Sequence, residues 1–191
     1  MSVIFSLALL ISAGDSSLEA EQVAQTLGQM ERDVRHALSR RGTSRDLYNA
    51  LERYLDFPHL ASYALDSQWP ALSPKQQKKL SNLLRDVVAL QVELRVRRPT
   101  EFEVSITRQQ KAGEFYGVIG VLNPGDPDPT DLTVTLKERD GRWRVVDVAV
   151  DGSSMARNYR NEFVEVLSVD GLSALFRWLN TKKKELRAKQ R

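Results

Sequence analysis

The chain has 191 residues, 41% apolar and 28% charged, enough for one domain built around a core. It has no cysteine and only two histidines, His36 and His59, which excludes a disulfide framework, a thiol nucleophile and a Cys- or His-rich metal centre. The net charge of +3 is local: residues 177–191 hold seven basic groups against one acid, a net of +6 that leaves residues 1–176 at −3.

Residues 3–11 are apolar apart from one serine and lead into Ser12-Ala13-Gly14. A short apolar run ending in small residues predicts a signal peptide over residues 1–13 and a mature protein outside the cytoplasm. No Lys or Arg precedes the run, so a buried first element is the competing reading. No apolar run reaches the roughly 18 residues a membrane span needs. Residues 18–40 repeat apolar side chains at helical spacing through Val23, Leu27, Met30, Val34 and Leu38. Thr43 or Ser44 can cap a second helix holding Leu47, Leu51 and Tyr54, and Asp56 a third with Pro58 in its first turn. Ser73-Pro74-Lys75-Gln76 is a capping box opening a long helix with Leu80, Leu84, Val87 and Val88 on its stripe, which must end before Pro99.

The period then changes to two. Phe102, Val104 and Ile106 lie on one face of a first strand. Residues 114–122 form a second, with Tyr116 and Val118 inward and Gly117 and Gly120 marking a bend or bulge. After a Pro/Asp-rich loop, Leu132, Val134 and Leu136 alternate in a third strand, and Asp140-Gly141 turns it into a fourth holding Val146 and Val148. Two helices close the chain, one lined by Tyr159 and Phe163, the other by Leu172, Leu175 and Leu179. Helices, an antiparallel meander and helices again predict an α+β fold with the helices on one face of a curved sheet. The expected organisation is one domain over residues 18–181: a helical part over 18–98, the sheet over 99–152, closing helices over 153–181. A basic tail follows at 182–191.

Little of this is equipped for chemistry. Gly117 and Gly120 sit within a strand, not in a phosphate loop. Asp126, Asp128 and Asp131 lack the glutamate that closes a calcium loop. Asp147, set among valines, needs a partner such as an Arg or a Tyr hydroxyl. Paired with Tyr159 it could serve an enzyme as base. Expected cofactors and metals are none. A sheet face roofed by helices encloses a volume that its own side chains or a lipid-like ligand can fill, and the residue pattern alone favours the filled core.

The segment Asp140-Gly141-Arg142-Trp143-Arg144-Val145-Val146-Asp147-Val148-Ala149-Val150-Asp151-Gly152-Ser153-Ser154, with Asn158-Tyr159-Arg160 and Phe163 after it, resembles the signature of the MlaC family of periplasmic phospholipid carriers, first associated with toluene tolerance. Asp56-Phe57, Ala64-Leu65, Trp69, Ser73-Pro74 with Gln76-Gln77, and Asp170-Gly171-Leu172 extend the resemblance over about residues 20–181. It implies an NTF2-like curved sheet with a helical subdomain and an apolar pocket for acyl chains. Lining residues would be Phe102, Val104, Ile106, Tyr116, Val118, Leu132, Val134, Leu136, Val146, Val148, Tyr159 and Phe163. Val87 would join them, standing where the family usually has an aromatic residue. It also implies two partners beside the phospholipid, an inner-membrane transporter of the ABC class and an outer-membrane lipoprotein complex. A relative associated with hopanoid metabolism makes a sterol-like cargo the alternative.

Overall fold

The computed structural model describes residues 16–39, 41–95 and 103–190. The expected signal segment and Phe102 therefore lie outside the described residues. Four helices come first: α1 (Ser16–Leu38), α2 (Ser44–Tyr54), α3 (Phe57–Leu65) and α4 (Pro74–Arg95), with a 3₁₀ segment at Asp66–Ala71 where Trp69-Pro70 makes the connection. The caps are those the sequence encodes. Thr43 and Asp46 form a reciprocal capping box on α2, the Asp56 carboxylate accepts from the His59 amide on α3, and Ser73 and Gln76 exchange bonds at the start of α4.

The sheet follows as β1 (Val104–Ala112), β2 (Phe115–Leu122), β3 (Thr130–Arg139), β4 (Arg142–Val150) and the two-residue β5 (Ser153–Ser154). All neighbours are antiparallel and their order is the chain order. Two irregularities curve it. Thr107 is extra in β1, opposite Gly120 and Ile119. The expected irregularity thus falls on the partner strand. Gly120 is nonetheless required there, because a Cβ would stand 2.4 Å from the Ser105 carbonyl oxygen. Val146 is extra in β4, between the Leu136–Val145 and Thr135–Asp147 pairs. That bulge sets Val145 beside Leu136 and Val148 beside Val134 on one face, and displaces Val146 from the alternation.

Helix α5 (Met155–Ala188) is interrupted at Gly171, whose φ of 68° is outside the helical range, so the two expected closing helices are present. The second runs through the segment expected to be a basic tail. Lys182 pairs with Glu162 at 2.7 Å and lies 4.5 Å from the Trp178 ring centroid; Lys183 pairs with Asp86 of α4; Leu186 rests on the core. Lysine stems cover apolar surface while their ammonium groups stay near solvent. That is how so basic a stretch packs.

The core is continuous between helices and sheet. Leu60, Leu84, Val87, Phe163, Leu175 and Leu179 fill the space among α3, α4 and α5, all but sealed from solvent. Tyr116, Leu136, Trp143 and Val145 fill one end of the sheet's inner face. Each such side chain contributes about 1.5–3 kcal/mol by leaving water.

Candidate binding cleft

The other end of that face is less completely filled. Val104 and Ile106 of β1, Val118 and Gly120 of β2 and Leu132 and Val134 of β3 form the floor of a cleft. Its roof is α1, through Leu27, Met30 and Glu31. The enclosed space is about 30 Å³, room for about one or two water molecules, so a larger ligand needs α1 to move off the sheet. Its exposed wall is almost entirely carbon. Strand alternation explains the floor: Val118 pairs with Val134 and Gly120 with Leu132, so their substituents share one side. At Gly120 the position a side chain would take is occupied by the β1 backbone, with the Ser105 carbonyl oxygen 2.4 Å from an ideal Cβ.

Of the expected lining residues, the structure brings five together here: Val104, Ile106, Val118, Leu132 and Val134. Tyr116 and Leu136 lie on the same face but in the filled end, where Tyr116 meets Trp143 edge-on at 5.6 Å. Val148 stands beside Val134, partly buried against the core. Val146 is buried outside the main core cluster. Val87 lies within the helical core. Tyr159 and Phe163 stack at 6.1 Å in that core, against Trp178, and do not face the cleft. The roof comes from α1 instead of α5, because α1 leans from α2 across the first strands.

Glu31 was not among the expected lining residues. It is 4% exposed and presents carbon to the cleft, while its carboxylate pairs with Arg35 one turn on. Burial pushes its pKa up, against the attraction of Arg35 and Arg32 and with help from the charge of Glu103. A signal existed in the sequence: position 31 is four residues after Leu27 and three before Val34, on the helix stripe that faces inward.

The pair read as a possible catalytic couple is otherwise engaged. Asp147 accepts from the Ser154 hydroxyl at 2.6 Å and the Ala156 amide at 2.9 Å, so its partner is the start of α5, not the Arg or Tyr expected. The Tyr159 hydroxyl donates to Gln91 at 2.8 Å, and burial raises its pKa well above the usual range. Among the described residues no cluster of His, Asp and Glu is gathered as a metal site, and no helix is long and apolar enough to cross a membrane.

A curved antiparallel sheet roofed by helices over an apolar cleft, with Glu31 and Asp147 engaged in structural bonds, defines a binding protein for an apolar or amphipathic ligand. The family model of the MlaC protein matches residues 21–181, and the chain belongs to that family. A phospholipid-binding protein from Ralstonia solanacearum, solved in complex with a phospholipid, has a similar fold: TM-score 0.71 at 17% identity, over 92% of this chain and 99% of that one. No curated protein matches the sequence.

Proposed function

We propose that this protein carries phospholipid, holding acyl chain in the cleft between α1 and the sheet with the head group at the mouth. The apolar wall formed by Val104, Ile106, Val118, Leu132 and Val134 under Leu27 and Met30 carries the reading. Membership of the MlaC family and the phospholipid complex of the Ralstonia protein support it. Each buried CH₂ contributes about 0.8 kcal/mol, so a long acyl chain gains on the order of 10 kcal/mol over water. Release into solvent is then very slow, whereas exchange with a bilayer or another apolar pocket is nearly balanced. A carrier of this kind works in contact with its donor and acceptor. In this reading it acts in the periplasm, between an inner-membrane transporter of the ABC class and an outer-membrane lipoprotein complex.

The test is extraction of the purified protein followed by mass spectrometry and phosphorus analysis. Phospholipid in a fixed ratio to protein is expected. A sterol-like extract would move the reading to the alternative cargo, and a protein without lipid that takes none from vesicles would overturn it.

A further inference from the structure

Helix α4 and the second half of α5 run side by side in the same direction. Lys79 lies 5.0 Å from the Phe176 ring centroid, Asp86 pairs with Lys183, and Glu93 accepts from Gln190, a constant offset of 97 residues. That ladder fixes which sides of the two helices meet, and therefore which sides face out. On α5 the outward stripe is Ser173, Arg177, Asn180, Thr181, Lys184 and Ala188, all exposed and none acidic. On α4, Lys75 and Lys78 are exposed beside Lys79. Glu185, next in the chain to Lys184, is turned about 100° away from it around the helix. The inward lysines are neutralised, Lys182 by Glu162 and Lys183 by Asp86. Lys75, Lys78, Lys79, Arg177 and Lys184 pair with no carboxylate among the described residues.

Residues 1–176 carry a net −3, so a face holding these cations and no acid stands apart from the rest of the molecule. Lys75 to Lys79 span about 6 Å and Arg177 to Lys184 about 10 Å along their helix axes. These spans are close to the roughly 8 Å over which exposed charges act jointly at physiological salt. Phe176 lies between the two rows, partly buried, and Val169, just before the break at Gly171, is 78% exposed. A broad two-helix face of ammonium and guanidinium groups with an aromatic ring among them complements a surface that carries many anions in one plane. None of these residues lines the cleft, so occupation of the face leaves the cleft free. We propose that the outward face of α4 and the second half of α5 docks this protein on the surface of anionic bilayers. The field of the cation face turns it toward the membrane during approach, while the acidic remainder is repelled. This goes beyond the carrier reading: it assigns a contact with lipid head groups in the plane of the membrane, separate from the cleft.

The test is flotation of the full chain with vesicles of phosphatidylcholine alone and of phosphatidylcholine with about one-third phosphatidylglycerol, at about 0.05 M and about 0.5 M salt. The wild type should bind the mixed vesicles at low salt, and should bind neither phosphatidylcholine alone nor the mixed vesicles at high salt. Each cation near an anionic surface contributes about fivefold to partitioning, so Lys75→Gln, Lys78→Gln and Arg177→Gln together should lower it about a hundredfold. Arg45→Gln, Arg108→Gln and Arg142→Gln remove the same charge from exposed positions on α2, β1 and β4, and together should lower it by less than about fivefold. Both triple variants should keep the circular dichroism spectrum and the lipid content of the wild type. Equal losses in the two would show attraction to net charge and overturn the assignment of the face. A wild type that floats equally well with both kinds of vesicle, or with neither, would overturn the proposal; in the second case an acidic protein surface becomes the partner. Loss of bound lipid in the first variant would make the face part of the ligand site and overturn its role in docking. Absence of lipid from the purified wild type would overturn the carrier reading alone, since docking is read without the cargo.

Discussion

The two ends of the sheet's inner face are built by opposite means. At the filled end, helices and strands are bolted together by polar bonds. The Asp56 amide donates to the Val145 carbonyl at 2.8 Å, continuing a parallel bridge between Leu55 and Val145. The Asp56 carboxylate takes the Arg139 guanidinium at 3.0 Å, and Arg144 closes the end of α2 by donating to the Glu52 and Leu55 carbonyls. At the cleft end, α1 faces the sheet with Leu27 and Met30. Its polar ties run sideways to α2, where Asp33 accepts from Tyr54 at 2.7 Å and Arg53 at 2.8 Å, and at the start of the helix to β1, where Glu19 pairs with Lys111 at 2.6 Å, away from the cleft floor. Directional bonds at one end fix the helices on the sheet. Non-directional apolar contact at the other lets the roof exchange protein carbon for ligand carbon at little cost.

The sharpest way to break this contrast uses two residues of one strand. Leu136 and Val134 point to the same side of β3 and are 0% and 3% exposed, yet only Val134 lines the cleft. Leu136→Glu should unfold the domain, because a charge in the filled end has nowhere to hydrate and costs more than about 4 kcal/mol. Val134→Glu should leave a folded protein whose bound lipid drops to under about a tenth, since its carboxylate can reach water through the mouth or take up a proton. Circular dichroism and lipid extraction read both variants. If both unfold, the two ends are equally closed; if Val134→Glu keeps its lipid, the cleft is not the site.

The next effect tests the bolted end alone. Asp56→Ala removes a helix cap and the partner of Arg139, which is itself 56% exposed, so the ion pair adds only modestly to the cap. A loss of about 2–3 kcal/mol is expected in denaturant melts. The lipid held per folded molecule should be unchanged. A lipid deficit in the folded fraction would mean that the two ends are coupled.

The same contrast sorts what was legible in the sequence. Periodicity and capping chemistry are local, and with them the helices through α4, the meander, the Asp140-Gly141 hairpin and the break at Gly171 could be read from residue patterns. Cleft and filled core share one alternation, however. Val134 and Leu136 are indistinguishable by period, and only the position of α1 decides which of them lines the cleft. The bulge at Val146 has no strong residue signature, so Val145 could not be told from Val146 as the inward residue. The bridge from Leu55 to Val145 spans 90 positions and is invisible to any local pattern. Tyr159 and Phe163 are expected to line the pocket opposite the strands; their ring contacts and the Tyr159–Gln91 bond hold them in the helical core instead.

A smaller effect is expected at the hairpin that presents Arg139 to Asp56. Asp140 and Gly141 both have positive φ, 53° and 73°, as a two-residue turn of this kind requires. A Cβ on Gly141 would meet nothing within 4 Å, so Gly141→Val carries a conformational cost alone, about 1–2 kcal/mol. Gly141→Asn should recover most of it, since asparagine tolerates this conformation. Thermal melts of the two variants measure the difference. Equal losses would show that space, not backbone conformation, limits the turn.

The smallest effect separates the ends by the sign of their response to pH. Burial pushes Glu31, at the cleft end, above its ordinary value of 4.5. Burial holds His59, at the bolted end beside Phe115, below its ordinary 6.5, a shift that the neighbouring Asp56 charge opposes. Between its two values Glu31 binds more proton in the folded than in the unfolded protein. Its contribution to stability is therefore present below pH 4.5 and lost as pH rises through the raised value. For His59 the unfolded chain binds more proton, so its contribution is present above pH 6.5 and lost as pH falls through the lowered value. In lipid-free protein, Glu31→Gln should gain in melting temperature on the wild type as pH rises from about 5 to 8. His59→Gln should gain on it as pH falls over the same range. Each gain should be smaller than the effects above, and their opposite direction is the decisive observation. Two variants that move the same way would show that the ends do not respond to protons independently.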